Sequence, residues 1–250
     1  MIIDTHMHLY DEKYNNEYDK VVSDSIALGC KKMICAGLDY ETSIKSIDFA
    51  KKYNEVYATV GLYPENALKD DAYLSWINDL VKIDKVVGIG EIGLDYYWDK
   101  SFIDKQKEVF INQVILAKAL NKPVVIHARD SLQDTFDILK EYKPRGVLHC
   151  YSGSAEMARE FVKLGFSLGI GGVATFSNAK EIVKVIKEID IKYLVTETDS
   201  PYLTPHPNRG KINIPGYAKY VLEKIAEIKE MDVKIVEEKI EENVKSIFGI

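Results

Sequence analysis

The chain begins with Met1-Ile2-Ile3-Asp4-Thr5-His6-Met7-His8, an apolar, β-prone stretch that ends in two histidines one residue apart. Alternate side chains of a strand point to the same face, so His6 and His8 are expected to project together, with Asp4 on that face too. The spacing predicts half of a metal site at the end of a rigid strand. A strand that merely ends in two exposed histidines would show the same short pattern, so only the rest of the chain can separate the two interpretations.

Beyond this stretch, short apolar runs alternate with amphipathic segments at intervals of about 25 to 30 residues. After the opening stretch, the runs expected to be strands are 32–37, 56–61, 86–92, 123–127, 147–149, 166–170 and 193–197. The segments expected to be helices lie within 11–29 and over 42–53, 72–83, 102–120, 132–142, 155–164, 179–189, 217–229 and 233–248.

Strands that read as continuous apolar runs, joined by helices, indicate a parallel sheet covered on both faces. Eight such units in 250 residues match the size and strand count of a (β/α)8 TIM barrel of the α/β class. No Pro/Gly/Ser-rich linker interrupts the alternation, so residues 1–250 are expected to form a single domain. A doubly wound open sheet is the alternative, but it usually has fewer strands and binds its ligand at one switch point.

Composition narrows the classes of function. A hydrophobic content of 46% supports a sizeable core, and the net charge of −6 gives no general attraction for nucleic acid, so phosphate binding must be local. The chain shows no long uncharged apolar run and no signal-peptide pattern, which favours a cytoplasmic protein without a membrane segment. No obligate protein partner is evident. Cys30, Cys35 and Cys150 lack metal-finger spacing and are expected to be small buried residues, not a disulfide framework or a thiolate zinc site.

The scarce polar residues fall where the predicted strands end. Four of the five histidines lie at or near such ends, as do four acidic residues, whereas His206 lies in a proline-rich loop and is expected to be no ligand. In a barrel the carboxyl ends of the strands converge on one face, where active sites of this fold lie. The converging set comprises His6, His8, Glu91, Asp95, His127, His149, Glu197 and Asp199.

Each member of this set also has a structural interpretation. His127 and His149 could be satisfied core histidines, Asp199 could start a turn with Ser200 and Pro201, and Glu91 could be a solvated loop carboxylate. Chance placement of so many polar residues at apolar strand ends explains the whole pattern poorly. Together, the residues predict one polar pocket.

Histidines and carboxylates without thiolates are typical ligands of divalent cations, and they are too many for one tetrahedral zinc. The set suits two divalent ions that share a bridging carboxylate, an arrangement that activates water for hydrolysis. Magnesium, manganese and zinc are all compatible with such ligands, so the residue types leave the identity of the metal open.

Five motifs in order, DTHMHL, GEIGLDYY, VVIHARDS, VLHCYSG and ETDSPYLTP, resemble those of the TatD-related metal-dependent hydrolases of the amidohydrolase superfamily. The resemblance extends from Ile3 to the terminal NVKSIFG. It implies a (β/α)8 barrel with one metal ion bound by His6, His8 and Asp199, a second bound by His127 and His149, and Glu91 bridging them. It also implies that Glu91 and Asp199 are catalytic, with Asp199 as the general base.

The activity implied by this resemblance is metal-dependent phosphodiester hydrolysis, as a 3′→5′ exonuclease on single-stranded DNA. The alternative within the superfamily is hydrolysis of esters or amides, including deacylation of D-aminoacyl-tRNA, which would use the same metals. A mononuclear, deaminase-like site is disfavoured because Glu91, His127 and His149 supply a second site. A non-catalytic binding barrel is a remote alternative, since such a chain is expected to have lost a ligand.

The sequence departs from the family pattern at residues expected to recognise the substrate. Many relatives carry histidine where this chain has Tyr63 and Glu65, and the terminal motif HRGKRNEP reads here as NRGKINIP, from Asn208 to Pro215. The metal set is intact, so these departures concern nucleotide recognition and the polarity of cleavage. The candidate substrate contacts are Tyr63, Arg129, Glu197, Arg209 and Lys211, although the three cations could equally be ordinary surface charges.

Overall fold

A computed structural model describes residues 1–250 as one parallel sheet of eight strands in the order β1 to β8, each strand next to its predecessor. The strands are β1 (Ile2–Met7), β2 (Cys30–Ala36), β3 (Val56–Val60), β4 (Val86–Asp95), β5 (Val124–Arg129), β6 (Gly146–Leu148), β7 (Ser167–Ile170) and β8 (Leu194–Thr196).

Nine α-helices surround the sheet. They are α1 (Tyr18–Ala27), α2 (Tyr40–Lys52), α3 (Tyr73–Leu80), α4 (Ile103–Ala119), α5 (Leu132–Tyr142), α6 (Ala155–Lys163), α7 (Lys180–Glu188), α8 (Ala218–Lys229) and α9 (Val233–Phe248). The expected (β/α)8 barrel is thereby confirmed. No helix is both long enough and apolar enough to cross a lipid bilayer.

The sheet closes where the first strand meets the last. The backbone N–H of Asp199 donates to the His6 carbonyl at 3.0 Å, and the N–H of His8 donates to the Ser200 carbonyl at 2.8 Å. Deeper in the barrel, the Thr5 hydroxyl donates to the Thr196 carbonyl at 3.0 Å. Side-chain hydroxyls and two backbone bonds therefore replace a regular ladder at the seam, and they bring β1 beside the segment that follows β8.

The strand interiors and the inner helix faces form one continuous core of 62 buried apolar residues. On α4, the longest helix, Phe110, Val114 and Ala117 recur at helical spacing and are fully buried against the sheet. Burial of such side chains stabilises the fold by about 1.5 to 3 kcal/mol for each large one. This apolar core holds the strands in place, and the polar side chains of the site lie at or just beyond the carboxyl ends of the strands.

The predicted elements agree with the structure to within a few residues at most ends. The first helix begins only at Tyr18, after a short 3-10 turn over Glu12–Tyr14, because Asn15 and Asn16 both adopt left-handed backbone conformations (φ 49° and 62°) that interrupt a helix. The strand expected to end at Ile92 continues to Asp95. Its last four residues pair with β5, which the apolar pattern alone did not reveal.

Candidate metal centre

Six of the expected ligands converge at the carboxyl ends of five strands. His6 lies in β1 and His8 follows it, Glu91 lies in β4, and His127 lies in β5. The remaining two, His149 and Asp199, follow β6 and β8. Their donor atoms form groups in which all atoms lie within 4.8 Å of one another.

His6, His8 and Glu91 form one such group, and Asp199 groups with His6 and His149. Site 1 is defined here as His6 Nε2, His8 Nε2, Glu91 Oε2 and Asp199 Oδ1. His6 Nε2 lies 3.1 Å from Glu91 Oε2 and 3.3 Å from His8 Nε2, which in turn lies 3.3 Å from Asp199 Oδ1. His8 Nε2 lies 3.7 Å from Glu91 Oε2, and His6 Nε2 lies 3.9 Å from Asp199 Oδ1. Ligands held at 2.0 to 2.2 Å in a tetrahedron lie about 3.3 to 3.6 Å apart, so the spacing fits one divalent cation.

The second group, called here site 2, consists of Glu91 Oε1, His127 Nδ1 and His149 Nε2. Glu91 Oε1 lies 2.9 Å from His127 Nδ1 and 3.1 Å from His149 Nε2, and the two nitrogens are 3.4 Å apart. Glu91 thus directs one carboxylate oxygen into each site. Its side chain is only 3% exposed and is enclosed by histidines on both sides.

The tautomer of His127 is fixed by Asp95. His127 Nε2 lies 2.9 Å from Asp95 Oδ2, a carboxylate oxygen that can only accept, so Nε2 carries the hydrogen. The Tyr63 hydroxyl donates to the same oxygen at 3.1 Å. The lone pair of His127 Nδ1 therefore faces Glu91 Oε1, and two lone pairs at 2.9 Å repel unless a cation or a proton lies between them.

His8 is oriented in the same way from β2. The Tyr10 hydroxyl donates to the Ala36 carbonyl at 2.8 Å, which leaves its oxygen to accept from His8 Nδ1 at 2.9 Å. His8 Nε2 therefore presents a lone pair to Asp199 and Glu91. Lone pairs converge in both sites, so the donor chemistry fits bound cations, and hydrogen bonds behind the rings orient them as in known metal sites.

Glu197 lies behind His149. Its Oε1 accepts from the Cys150 backbone N–H at 2.6 Å and lies 3.6 Å from His149 Nδ1, and the side chain is fully buried. The substrate contact expected at Glu197 stays a prediction, and in this structure the carboxylate is buried beside Cys150 and His149. The contact with His149 is electrostatic, because 3.6 Å is too long for a hydrogen bond.

The metal-free site is strongly coupled electrostatically. Burial alone would raise the pKa of Glu91, but the imidazoles of His149 and His6 hold it well below its usual value. Burial alone would likewise lower the pKa of His149, but Glu91 raises it well above its usual value. The His6 ring stacks on the His149 ring with centroids 3.8 Å apart. The pKa of His6 is lowered, chiefly by burial and next by the charge of His149. A proton on His149 would therefore compete with a cation beside Glu91.

Asp4, on the same strand face as the histidine pair, is a buried positioning residue. Its Oδ1 accepts from the Thr198 backbone N–H at 2.9 Å, and its Oδ2 accepts from the Thr198 hydroxyl at 2.5 Å. These bonds fix the segment after β8, where Asp199 adopts a left-handed conformation with φ 54°. The side chain of Asp199 is 19% exposed, so solvent reaches this carboxylate and scarcely reaches Glu91.

The remaining candidate substrate contacts occupy different environments. Arg129 is exposed at the end of β5 and Tyr63 is tied to Asp95 beside site 2. Arg209 packs its guanidinium 4.0 Å from the Phe176 ring centroid and donates to the Thr204 carbonyl, and Lys211 donates to Asn208. Of the three cations, Arg129 is thus the one whose guanidinium has no hydrogen-bond partner in the protein. The exposed His206 packs edge-on against Phe176, apart from the six ligands.

Two orienting residues are hard to find from the sequence. Asp95 is one of the strand-end carboxylates, but nothing in the sequence reveals its pairing with His127. Tyr10 gives only one signal, its position two residues after His8, and it is one of sixteen tyrosines in the chain. The three cysteines are free. Cys30 and Cys35 are fully buried, as expected, whereas Cys150 is only partly buried.

A parallel barrel that gathers histidines and carboxylates at its carboxyl face defines a class of metal-dependent hydrolases. The family model described as TatD related DNase matches residues 3–249, and the chain belongs to this family. It is 45% identical to the uncharacterized metal-dependent hydrolase YabD of Bacillus subtilis over the full length of both chains. It is 36% identical to a metal-dependent hydrolase of Methanocaldococcus jannaschii, covering 98% of this chain and 96% of that one.

Solved structures agree. The crystal structure of YJJV, a TatD homologue from Escherichia coli, superposes with a TM-score of 0.94 at 27% identity, covering 100% of this chain and 98% of that one. A TatD family hydrolase from Entamoeba histolytica superposes with a TM-score of 0.88 at 25% identity, covering 99% and 97%. The protein is therefore a metal-dependent hydrolase of the TatD family.

Proposed function

We propose that this protein hydrolyses phosphodiester bonds of DNA, as a 3′→5′ exonuclease on single strands, with two divalent ions bound in sites 1 and 2. The observation that carries the proposal is the position of Glu91, whose two oxygens face separate groups of imidazole nitrogens at 3.1 Å and 2.9 Å. A shared carboxylate of this kind suits a pair of cations. The description of the family as DNases supports DNA as the substrate.

The ions would be held by His6, His8 and Asp199 in site 1, by His127 and His149 in site 2, and by Glu91 in both. When bound, divalent ions supply Lewis acidity and make water a stronger acid. Magnesium, manganese and zinc all suit the donor types, and availability would select among them.

We assign the other catalytic and positioning roles to individual side chains. Asp199 is the carboxylate that solvent reaches, so we assign it the removal of a proton from the attacking water at a carboxylate oxygen. Glu91 is buried between four imidazoles and is assigned to holding the site together. Asp95 and Tyr63 keep His127 in one tautomer through hydrogen bonds at its Nε2.

A net charge of −6 does not oppose this assignment, because bound cations would provide a local positive field for a phosphate group. The surface away from the centre would contribute little general attraction for DNA. Specific cationic side chains at the rim are therefore expected to matter, and Arg129 is the exposed candidate.

The test is cleavage of a 5′-labelled single-stranded oligonucleotide by purified protein with added magnesium or manganese. A ladder that shortens from the 3′ end is expected, together with its absence in Glu91→Ala. Glu91→Ala, prepared in the same way, controls for contaminating nuclease. The exposed-site variant Glu156→Ala should cleave like the unaltered protein, which shows that a substitution alone does not abolish activity.

A D-aminoacyl-tRNA offered in parallel tests the alternative ester hydrolysis. Deacylation without DNA cleavage, in protein with metal bound, would overturn the nuclease assignment and leave the hydrolase centre in place. Equal cleavage by Glu91→Ala would overturn the role of the bridging carboxylate.

A further inference from the structure

Two consecutive aromatic residues stand exposed on the rim beside site 2. Tyr97 is 52% exposed and Trp98 is 62% exposed, and their ring centroids lie 4.8 Å apart in an edge-to-face arrangement. Isolated exposed apolar residues are ordinary on protein surfaces. The other large apolar residues exposed on this chain are not adjacent in sequence, so this pair forms an unusual accessible aromatic surface.

Arg129 lies over this pair. Its guanidinium carbon is 3.7 Å from the Tyr97 ring centroid and 5.4 Å from that of Trp98. The other three arginines of the chain are bonded to protein groups, Arg145 and Arg209 to carbonyls and Arg159 to the carboxylate of Glu188. Arg129 alone keeps all its N–H donors free of protein partners, while the rings hold its position.

The backbone fixes this group relative to the metal centre. Arg129 pairs with Asp95 in the β4–β5 register, and the Tyr96 N–H donates to the Arg129 carbonyl at 2.9 Å. The Tyr97 N–H donates to Asp95 Oδ1, also at 2.9 Å. Asp95 holds His127 with its other oxygen, so one carboxylate connects the aromatic pair to a ligand of site 2.

Arg129 follows His127 by two residues on the same strand, so its backbone lies about 6.6 Å further toward the rim. A ligand that reached from site 2 to the guanidinium would therefore be an extended molecule with a second anionic group. A nucleotide strand has repeated phosphates with a flat base between them, and this chemistry matches a cation beside exposed rings.

We propose that Tyr97, Trp98 and Arg129 form a subsite for the nucleotide adjoining the scissile phosphate, with its base stacked on the aromatic pair and its phosphate bound by Arg129. The proposal rests on the proposed function and deepens it. Stacking on aromatic rings is tolerant of base identity, and a guanidinium can donate two parallel hydrogen bonds to a phosphate. The subsite therefore favours single strands, whose bases are free to stack, without selecting a sequence.

The opposite side of the centre is less suited to this role. There Lys13 lies 3.7 Å from the Tyr202 ring centroid, but the Tyr202 hydroxyl donates to Asp11 at 2.7 Å. The Asp11 carboxylate places a negative charge beside that ring, and it would repel a phosphate. The strand is assigned to the Arg129 side, because there the cation lies over two exposed rings and neither ring donates to a carboxylate.

The test is a double-mutant cycle that combines removal of an aromatic side chain from the protein with removal of bases from the DNA strand. Binding of a fluorescent single-stranded oligonucleotide with non-cleavable phosphorothioate linkages is measured in magnesium buffer, beside the same strand with abasic positions at its 3′ end. The unaltered protein should bind the intact strand at least about fivefold more tightly. Trp98→Ala and Tyr97→Ala should reduce this preference to below about twofold, as expected if the rings are the partner of the base.

Two further variants separate phosphate contact from stacking. Arg129→Ala should weaken both strands alike and lower the dependence of binding on salt. Ile115→Ala, on the outer face of α4 and 48% exposed, is the matched surface control and should keep the full preference. In a Trp76→Phe background Trp98 is the only tryptophan, and its emission should change when the intact strand binds.

Any one of three results would overturn the subsite. The unaltered protein could bind the two strands equally, Trp98→Ala could keep the full preference for the intact strand, or the Trp98 emission could stay unchanged on binding. If DNA is still cleaved from its 3′ end in any of these cases, only the subsite fails. If the unaltered protein neither binds nor cleaves DNA, the proposed function fails with it.

Discussion

Asp95 Oδ2 lies 2.9 Å from His127 Nε2, on the edge of the imidazole ring opposite the edge that faces Glu91. This single contact fixes which nitrogen of His127 carries the hydrogen and which nitrogen can bind a cation. Asp95, which is not itself a ligand, therefore orients the site 2 ligand His127. The same carboxylate holds the loop that carries Tyr97.

The first prediction concerns this contact. Asp95→Asn removes the charge that favours the Nε2–H tautomer, so we expect the affinity of site 2 for a divalent ion to fall by about 10- to 100-fold. Isothermal titration with manganese measures the change directly. Asp134→Asn is the control, because that carboxylate accepts from the neighbouring Tyr96 hydroxyl and makes no contact with a ligand. Equal affinity in the Asp95 and Asp134 variants would contradict the orienting role.

The second prediction concerns the general base. Asp199→Asn keeps an oxygen that can face site 1 but removes the group that accepts a proton, so kcat should fall about 100-fold or more. The metal content of the variant, measured by native mass spectrometry beside the unaltered protein, should change far less than kcat. A loss of less than tenfold in kcat, with metal retained, would show that another group takes the proton.

The third prediction uses two glycines that flank Glu197. A Cβ added at Gly169 would lie 2.1 Å from Glu197 Oε2, whereas one added at Gly171 would meet the same side chain at an ordinary 3.7 Å. Glu197 is fully buried, so its carboxylate cannot move aside into solvent, and Gly169→Ala should destabilise the protein by about 1 to 3 kcal/mol. Gly171→Ala is the matched control. Similar melting temperatures for the two variants would argue against tight packing around Glu197.

The fourth prediction concerns the pKa shifts in the metal-free protein. The lowered pKa of Glu91 adds stability above about pH 4.5, and the raised pKa of His149 adds stability that is complete below about pH 6.5 and is lost as the pH rises further. The metal-free protein should therefore gain most from this pair between these values. Added manganese must displace the proton, so it should raise the melting temperature more at pH 8 than at pH 6.

Melting curves at the two pH values, with and without manganese, test this. His206→Ala should retain the difference, because His206 is exposed and lies outside both sites. An equal thermal shift at both pH values would show that protons do not compete with metal at the centre.

The fold was predictable because burial imposes periods that the sequence displays. The apolar runs at β3 and β5 and the helical spacing of Phe110, Val114 and Ala117 follow directly from a sheet covered by helices. The extension of β4 to Asp95 was less accessible, since it depends on pairing with β5 and not on local hydrophobicity.

The ligand set was likewise suggested by residue type and position, but the orientation of individual side chains was not. Glu197 and Asp199 were both expected inside the pocket because alternate residues of a strand share a face. The strand ends at Thr196, and Asp199 has φ 54°, so this alternation no longer applies where the two side chains diverge. The sequence does not distinguish Arg209 from Arg129 as a candidate phosphate contact. The packing of Arg209 on Phe176, visible only in the structure, shows that Arg209 is the less available of the two.

The dinuclear centre can be tested without any assay of activity, by an anomalous difference map from crystals of the protein soaked with manganese. We expect two peaks about 3.5 to 4 Å apart, one among His6, His8 and Asp199 and one between His127 and His149, with a Glu91 oxygen beside each. A single peak, or two peaks that do not share Glu91, would contradict the dinuclear centre on which the proposed hydrolysis depends.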